Sequence, residues 1–177
     1  QQENNSFCGQ TWDMHRSAKN YVSIIKVPPQ DKKPAQVLFS LVGCVGMMGF
    51  NSSLNMIGVN NINTKNASPG IIWPALIRKC LQYINFEDMR NCLLSAPVTS
   101  GHNYLLSSPN KGEHWEVLPG LSQKVSSTTS EKPLSIFHTN HCLGDKIIPL
   151  EQKAQLNSTT RDRYQLIHNK INQVQSF

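Results

Sequence analysis

Two histidines, an asparagine and a cysteine fall within five consecutive residues, at His138, Asn140, His141 and Cys142. The four residues before them, 134–137, are mostly apolar and predict a short buried strand. A strand that ends in polar and titratable groups would hold those groups on a rigid support. We therefore expect this segment to carry whatever chemistry the chain performs.

The residue types leave four interpretations open. The polar groups could simply satisfy the local backbone at a strand end. His138, His141 and Cys142 have the ligand types of a zinc site, although no CxxC or HExxH spacing accompanies them. A Cys–His nucleophilic pair is the third interpretation. The fourth makes Asn140 a side-chain amide donor of an oxyanion hole.

Composition narrows the class of protein. With 177 residues and a hydrophobic fraction of 38%, the chain is long and apolar enough for one domain with a real core. The formal charge is +6, but the basic residues are scattered, which favours a solvated surface over a nucleic-acid interface. No apolar run approaches the length of a membrane span.

The cysteines and the sequons point to different compartments. Five widely spaced cysteines, an odd number, favour reduced thiols and slightly favour an intracellular location. Four Asn-x-Ser/Thr sequons instead keep secretion or a lysosomal location open. They begin at Asn4, Asn51, Asn66 and Asn157. Localisation therefore stays undecided.

Periodicity predicts two runs of strands separated by two helices. Helical spacing is confined to residues 73–84, to the segment after Asn85, and to a last helix after Ser158. This order indicates an α+β fold. Because several strands are apolar on both faces, we expect two antiparallel sheets packed face to face with helices outside. The predicted strands are residues 21–27, 37–42, 45–50, 55–59, 101–107, 114–118, 121–127 and 134–137.

Several short motifs, in order along the chain, resemble those of one family. Residues 9–13 (GQTWD) resemble a G-Q-N-W-D segment, residues 49–53 (GFNSS) resemble G-F-N-S-A-G, and residues 138–141 match H-T-N-H. These are motifs of the acyl-CoA:6-aminopenicillanate acyltransferase (isopenicillin N acyltransferase) family of N-terminal-nucleophile (Ntn) hydrolases. The resemblance covers nearly the whole chain.

The resemblance implies a fold and a chemistry. The fold is a four-layer αββα sandwich of two antiparallel sheets. The chemistry is that of a cysteine amidohydrolase or acyltransferase acting on N-acyl amides or acyl thioesters, including acyl-CoA, without a cofactor. In such proteins self-cleavage exposes a Cys as a new N-terminus and leaves a partner polypeptide. The thiol is then the nucleophile and its own α-amine the base.

The resemblance also implies roles for individual residues. Asp13 would orient the amine of the nucleophile, and Asn140 and Asn60 would hold that amine and stabilise the oxyanion. Trp12, His138 and His141 would line the substrate pocket, the two histidines as structural hydrogen-bonding groups.

The nucleophile itself is not expected within these residues. In the family it lies further upstream of the G-Q-x-W-D segment than Cys8 does, so it is not assigned to Cys8. We expect residues 1–177 to form a single Ntn-hydrolase-like domain that lacks the nucleophile segment and the C-terminal strands. A non-catalytic homologue with a binding role is one alternative, and a hydrolase using Cys8 or Cys142 with a nearby His is another.

Overall fold

The structure, a computed structural model, describes residues 7–152 and 158–174. Short 3₁₀ helices span Arg16–Tyr21 and Ile148–Leu150. The strands are β1 (Val22–Val27), β2 (Gln36–Leu41), β3 (Met48–Asn51), β4 (Met56–Asn61), β5 (His102–Ser108), β6 (Lys111–Leu118) and β7 (Leu121–Thr129). The helices are α1 (Trp73–Cys80), α2 (Phe86–Ser95) and α3 (Thr160–Val174).

All seven strands form one antiparallel sheet in the order β1-β2-β3-β4-β5-β6-β7, each paired with its neighbours in the chain. The α+β prediction is therefore confirmed. Within residues 7–152 and 158–174 there is one sheet where we expected two.

The prediction of a buried strand at residues 134–137 is wrong. This segment is irregular, and Leu134 is 60% exposed. The backbone N–H of Leu134 donates to the Thr128 hydroxyl (2.8 Å), so it does not enter a ladder with β7. His138 and Asn140 are therefore held by their own contacts and not by a strand.

Helices α1 and α2 cover one face of the sheet. Pro74 lies in the first turn of α1, where its missing N–H costs nothing, and helical spacing turns Leu76, Ile77 and Cys80 inward. The helix ends at Cys80, before the exposed Ile84 that the spacing had included. Each large aliphatic side chain buried here contributes about 1.5–3 kcal/mol. The core combines Leu38, Ile57, Tyr104 and Leu106 from the sheet with Leu76, Ile77, Leu81, Met89 and Leu93 from the helical side.

The opposite face of the sheet is polar at its centre and apolar at one side. Asn60, Asn103 and Glu116 are direct cross-strand neighbours on β4, β5 and β6, so their side chains share this face. On the β1–β3 side the same face carries Ile24 and Phe50, which are 58% and 48% exposed.

A tight turn joins β3 to β4. Leu54 adopts a φ of 61° there, in the left-handed region that non-glycine residues rarely occupy. Its N–H donates to the Asn51 carbonyl (2.9 Å), which closes the turn. The G-F-N-S-A-G motif, which this segment resembles, has glycine at the position of Leu54. The chain therefore forms the turn with a strained backbone at Leu54.

Replacing Leu54 with glycine should raise the free energy of unfolding by about 0.5–1 kcal/mol, because glycine adopts this φ without steric cost. Little burial is lost, since Leu54 is 64% exposed. Urea unfolding of the variant would measure the effect, with Leu54→Ala as the control that retains the strain. A midpoint at or below that of the Ala variant would contradict the prediction.

Candidate active site

A cavity of about 690 Å³ brings together five of the six residues predicted for the site. Its wall is built from the segment before the first 3₁₀ helix, the end of β4, the irregular segment before α3, and α3 itself. His141 is the predicted residue that does not line it. The five that do are Trp12, Asp13, Asn60, His138 and Asn140.

Gln10 fixes the position of the GQTWD segment. Its side-chain amide donates to the Val59 carbonyl and accepts from the Val59 N–H (2.8 Å), as a neighbouring strand would. Gly58 permits this approach, since a Cβ there would lie 2.8 Å from Gln10 Oε1. Trp12 then packs edge-on against Phe39, with ring centroids 5.3 Å apart.

Asp13 follows directly and contributes an exposed carboxylate to the cavity wall. Among the described residues it has no hydrogen-bond or ion-pair partner. A carboxylate in this state is free to accept hydrogen bonds from an ammonium group.

The side-chain amide of Asn140 has a defined orientation. Its Oδ1 accepts from Arg163 Nη2 (3.0 Å), and because a guanidinium has only donors, the oxygen must face it. Its Nδ2 donates to the Asn61 carbonyl (3.1 Å). The backbone N–H of Asn140 donates to Thr160 Oγ1 (2.7 Å). One amide hydrogen of Asn140 therefore remains available to another acceptor.

Asn60 is oriented in a similar way by its cross-strand neighbour. Asn103 Nδ2 donates to Asn60 Oδ1 (3.1 Å), so the acceptor end of Asn60 is occupied. The donor end, Nδ2, has no partner within the described residues. The Asn140 side chain binds the carbonyl of Asn61, which is the residue after Asn60. The side-chain amides of Asn60 and Asn140 therefore lie on adjacent parts of one cavity wall. Together they offer hydrogen-bond donors to the cavity.

Both histidines of the HTNH segment are engaged by the protein. His138 Nε2 lies 2.9 Å from Glu116 Oε1, and its Nδ1 lies 2.7 Å from the Thr139 carbonyl. His141 Nδ1 lies 3.1 Å from the hydroxyls of Thr139 and of Thr160. Burial, followed by the charge of Arg161, lowers the pKa of His141. Both imidazoles are thus engaged in hydrogen bonds within the protein.

The family model for acyl-coenzyme A:6-aminopenicillanic acid acyltransferase matches residues 1–177. The chain belongs to this family. The resemblance based on the GQTWD, GFNSS and HTNH motifs is thus confirmed.

Comparison with solved structures and with curated proteins adds little to the family assignment. Among solved structures, the chain is similar to a penicillin V acylase from Agrobacterium tumefaciens, with 16% identity and a TM-score of 0.40. That match covers 57% of this chain and 37% of the acylase chain. A search of curated proteins found no match.

The structure adds site residues of this family member that the sequence reasoning did not single out. Asn103, His114, Glu116 and Arg163 all contact a predicted site residue or line the cavity. Burial, together with the charge of His138, lowers the pKa of His114 to about 3, so His114 is neutral near pH 7. One signal was available: His114 and Glu116 alternate with Trp115 and Val117 in a strand, which places polar groups on a single face.

The zinc and Cys–His interpretations are not supported by the geometry. Within the described residues, no group of three or more His, Cys, Asp or Glu side chains could hold a metal ion. Cys142 is buried, and burial together with Glu116 and Glu151 raises its pKa to about 12. Burial also raises the pKa of the Cys8 thiol. Neither thiol is activated as a nucleophile.

Alkylation of the native family member by iodoacetamide at pH 7.5 should label Cys92 at least tenfold faster than Cys142. A hydrogen bond from Cys80 lowers the pKa of the half-buried Cys92 thiol, so the reactive thiolate is more populated at Cys92 than at Cys142. Cys142 is then almost entirely protonated. Peptide mass spectrometry after short exposures would give both rates, and preferential labelling of Cys142 would contradict the prediction. Unfolded protein provides the control, in which the two rates should converge.

Two of the predicted sequons can be placed. Asn51 is 1% exposed and its amide is fully engaged, so it cannot carry a glycan in this fold. Asn66 is exposed in a loop. Asn4 and Asn157 lie outside the described residues. None of the helices in the described part of the chain is long and apolar enough to cross a membrane.

Proposed function

We propose that this chain forms part of a cysteine Ntn amidohydrolase or acyltransferase that acts on N-acyl amides or acyl thioesters. The observation that carries the proposal is the pair of amides at Asn60 and Asn140. Both line one cavity and both have their oxygen atoms occupied, and within the described residues both keep N–H groups without a partner. Preorganised donors of this kind stabilise an oxyanion, each typically contributing about 3 kcal/mol.

The nucleophile in this proposal is an N-terminal Cys from a segment outside the 177 residues, exposed by self-cleavage. Its thiol attacks the carbonyl carbon of the acyl group, and its own α-amine takes the thiol proton. The carbonyl oxygen gains negative charge and is stabilised by the Asn60 and Asn140 amides. Collapse expels the amine or thiol, which receives the proton, and leaves a thioester. Water or an acceptor amine then releases the acyl group and restores the thiol.

Asp13 orients the α-amine in this scheme. Its exposed carboxylate, which has no partner in the described part of the chain, lines the same cavity as the two amides, so an ammonium group formed during attack has an acceptor there. Arg163 binds Asn140 Oδ1 and so keeps the nitrogen of the same amide directed towards the reacting oxygen.

The cavity favours substrates with a hydrophobic acyl group. Its wall includes the apolar side chains of Trp12, Met48, Ile136, Phe137 and Ile167 beside polar groups such as Asn60 and Asn140. An apolar pocket with a few convergent polar groups is typical of small-molecule sites. The proposed substrates are therefore N-acyl amides or acyl-CoA with aromatic or aliphatic acyl groups.

We also propose that the complete fold is the four-layer αββα sandwich. The support is the exposed apolar surface on the sheet face opposite α1 and α2, at Ile24 and Phe50. A second sheet packed against this face would cover these side chains. The partner polypeptide from self-cleavage is a candidate source for part of that sheet.

The activity is tested by incubating native protein with N-acyl amides of short, aromatic and long aliphatic acyl groups. Amine release should follow, and mass spectrometry of the quenched enzyme should detect one acyl group on the N-terminal Cys. Absence of both amine release and acyl adduct, in protein with a free N-terminal Cys, would contradict the proposal.

A further inference from the structure

Glu116 is a fully buried carboxylate at the centre of the sheet. Its side chain is 0% exposed and lies on β6, on the face opposite α1 and α2. It accepts three hydrogen bonds: from His138 Nε2 (2.9 Å), from the Leu143 N–H (2.6 Å) and from the Gly144 N–H (3.0 Å). A buried carboxylate is costly unless it is paired and hydrogen-bonded in this way.

All three donors belong to one irregular segment, residues 138–144. This segment has neither helix nor strand to fix its shape, and it carries Asn140. Its other hydrogen bonds run to Thr160 at the start of α3 and to Glu151. The Asn140 side chain adds bonds to the Asn61 carbonyl at the end of β4 and to Arg163. Glu116 is the residue that ties both ends of the segment to the rigid sheet, since it binds His138 on one side of Asn140 and Leu143 and Gly144 on the other.

His138 contacts two acceptor groups. Nδ1 faces the Thr139 carbonyl and Nε2 faces the Glu116 carboxylate, so both nitrogens face acceptors. Both ring nitrogens are therefore engaged by the protein, one by a backbone carbonyl and one by the carboxylate. The stacked neighbour His114, with ring centroids 5.6 Å away, has a depressed pKa for which the charge of His138 is one cause.

Close packing leaves no room for substitution at the end of the segment. A Cβ at Gly144 would lie 2.6 Å from Gln123 Oε1 and 3.0 Å from Glu116 Oε2. Gly144 therefore allows the backbone to approach the carboxylate directly.

We propose that Glu116 is the positioning residue of the site: its carboxylate, bonded to His138 Nε2 and to the Leu143 and Gly144 N–H groups, fixes segment 138–144 so that the Asn140 amide faces the reacting carbonyl. This inference rests on the proposed function for its effect on catalysis. The anchoring itself is a property of the fold and can be measured separately.

The test compares Glu116→Gln with Glu113→Gln in the native protein. Glutamine keeps the size of the side chain but replaces one acceptor oxygen with a donor, so at least one of the three bonds is lost. Glu113 is the matched control because it is also a buried carboxylate on β6. It binds Trp115 Nε1 (2.6 Å) and Arg90, on the α1–α2 face, and does not contact segment 138–144.

We expect Glu116→Gln to lower kcat about 10- to 100-fold with less than about a threefold change in KM, since a 1 Å misplacement of a reacting group can cost about 10²-fold. Hydrogen exchange at the Leu143 and Gly144 amides should accelerate at least tenfold. NMR should show the His138 Nε2 resonance shifted in the variant relative to the parent, because its partner at position 116 has changed. Glu113→Gln should leave all three measurements unchanged.

Each outcome decides a different point. Unchanged exchange at Leu143 and Gly144 would overturn the anchoring role, and accelerated exchange with unchanged kcat would overturn the positioning role. If the parent protein releases no acyl group, the proposed function fails, whereas the exchange and NMR measurements still decide the anchoring. If Glu116→Gln does not fold, the same measurements are made on Glu116→Asp, which retains the negative charge. The kcat of Glu116→Asp should then lie between those of the parent and of Asn140→Ala.

Discussion

Replacing Asn140 with aspartate should lower kcat by about 100- to 1000-fold and leave KM within a few-fold of the parent value. Aspartate still accepts from Arg163, so the contact at 3.0 Å persists as an ion pair. However, a carboxylate has no hydrogen to donate to the oxyanion, and it adds negative charge where negative charge develops. The loss therefore falls on the transition state and appears in kcat. Steady-state kinetics on an N-acyl amide, with amine release as the signal, would measure it.

The matched control for this change is Asn63→Ala. Asn63 is an exposed asparagine whose side chain accepts from Asn61 Nδ2 (3.1 Å) and does not line the cavity. We expect its removal to change kcat less than twofold. If the Asn140→Asp variant retained more than a tenth of the parent kcat, Asn140 would not be an oxyanion donor.

Replacing Asn51 with alanine should lower the free energy of unfolding by about 3 kcal/mol or more, because each buried polar group left unpaired costs about 1–3 kcal/mol. Asn51 is 1% exposed. Its Nδ2 donates to the carbonyls of Leu81 (3.0 Å) and Tyr83 (2.9 Å) after α1. Its Oδ1 accepts from the N–H groups of Ser53 (3.0 Å) and Asn55 (3.1 Å) in the β3–β4 turn. One side chain thus joins the turn to the helical layer.

Urea or thermal unfolding of Asn51→Ala measures this loss. Ser52→Ala is the control, since Ser52 is the exposed next residue of the same turn and should change stability by less than about 0.5 kcal/mol. A loss below about 1 kcal/mol for Asn51→Ala would mean that water replaces its bonds and that the side chain is not a structural link.

Local patterns were sufficient to predict the strands of the sheet and the two helices that cover it. The short apolar runs around Leu38 and Tyr104 and the helical spacing of Leu76, Ile77 and Cys80 correspond to β2, β5 and α1. Such elements are predictable because each buries apolar side chains whose spacing can be recognised within one short stretch of sequence.

The segment before α3 was not predictable in the same way. Residues 134–137 have the composition of a strand, but Leu134 binds a side chain and not a neighbouring strand. Residues 138–144 are then shaped by Glu116, which is more than twenty residues away in sequence. A pattern of neighbouring residues contains no information on which distant carboxylate will be buried.

The candidate site was partly predictable for a related reason. Trp12, Asp13, Asn60, His138 and Asn140 were found through motifs and do line one cavity. Their partners Asn103 and Arg163 were not assigned a role in the site, since they act by orienting an amide across the sheet or from a helix. These orienting contacts depend on register and packing, which only the folded structure supplies.

The central claim, a cysteine Ntn enzyme, is tested most directly by intact mass and N-terminal sequencing of the native, mature protein. The account predicts a polypeptide that begins with Cys and continues into the segment containing residues 9–13, accompanied by the fragment released on self-cleavage. A mature chain with any other N-terminal residue would contradict the mechanism. The cavity between Asp13 and Asn140 would then belong to a protein that binds acyl compounds without cleaving them.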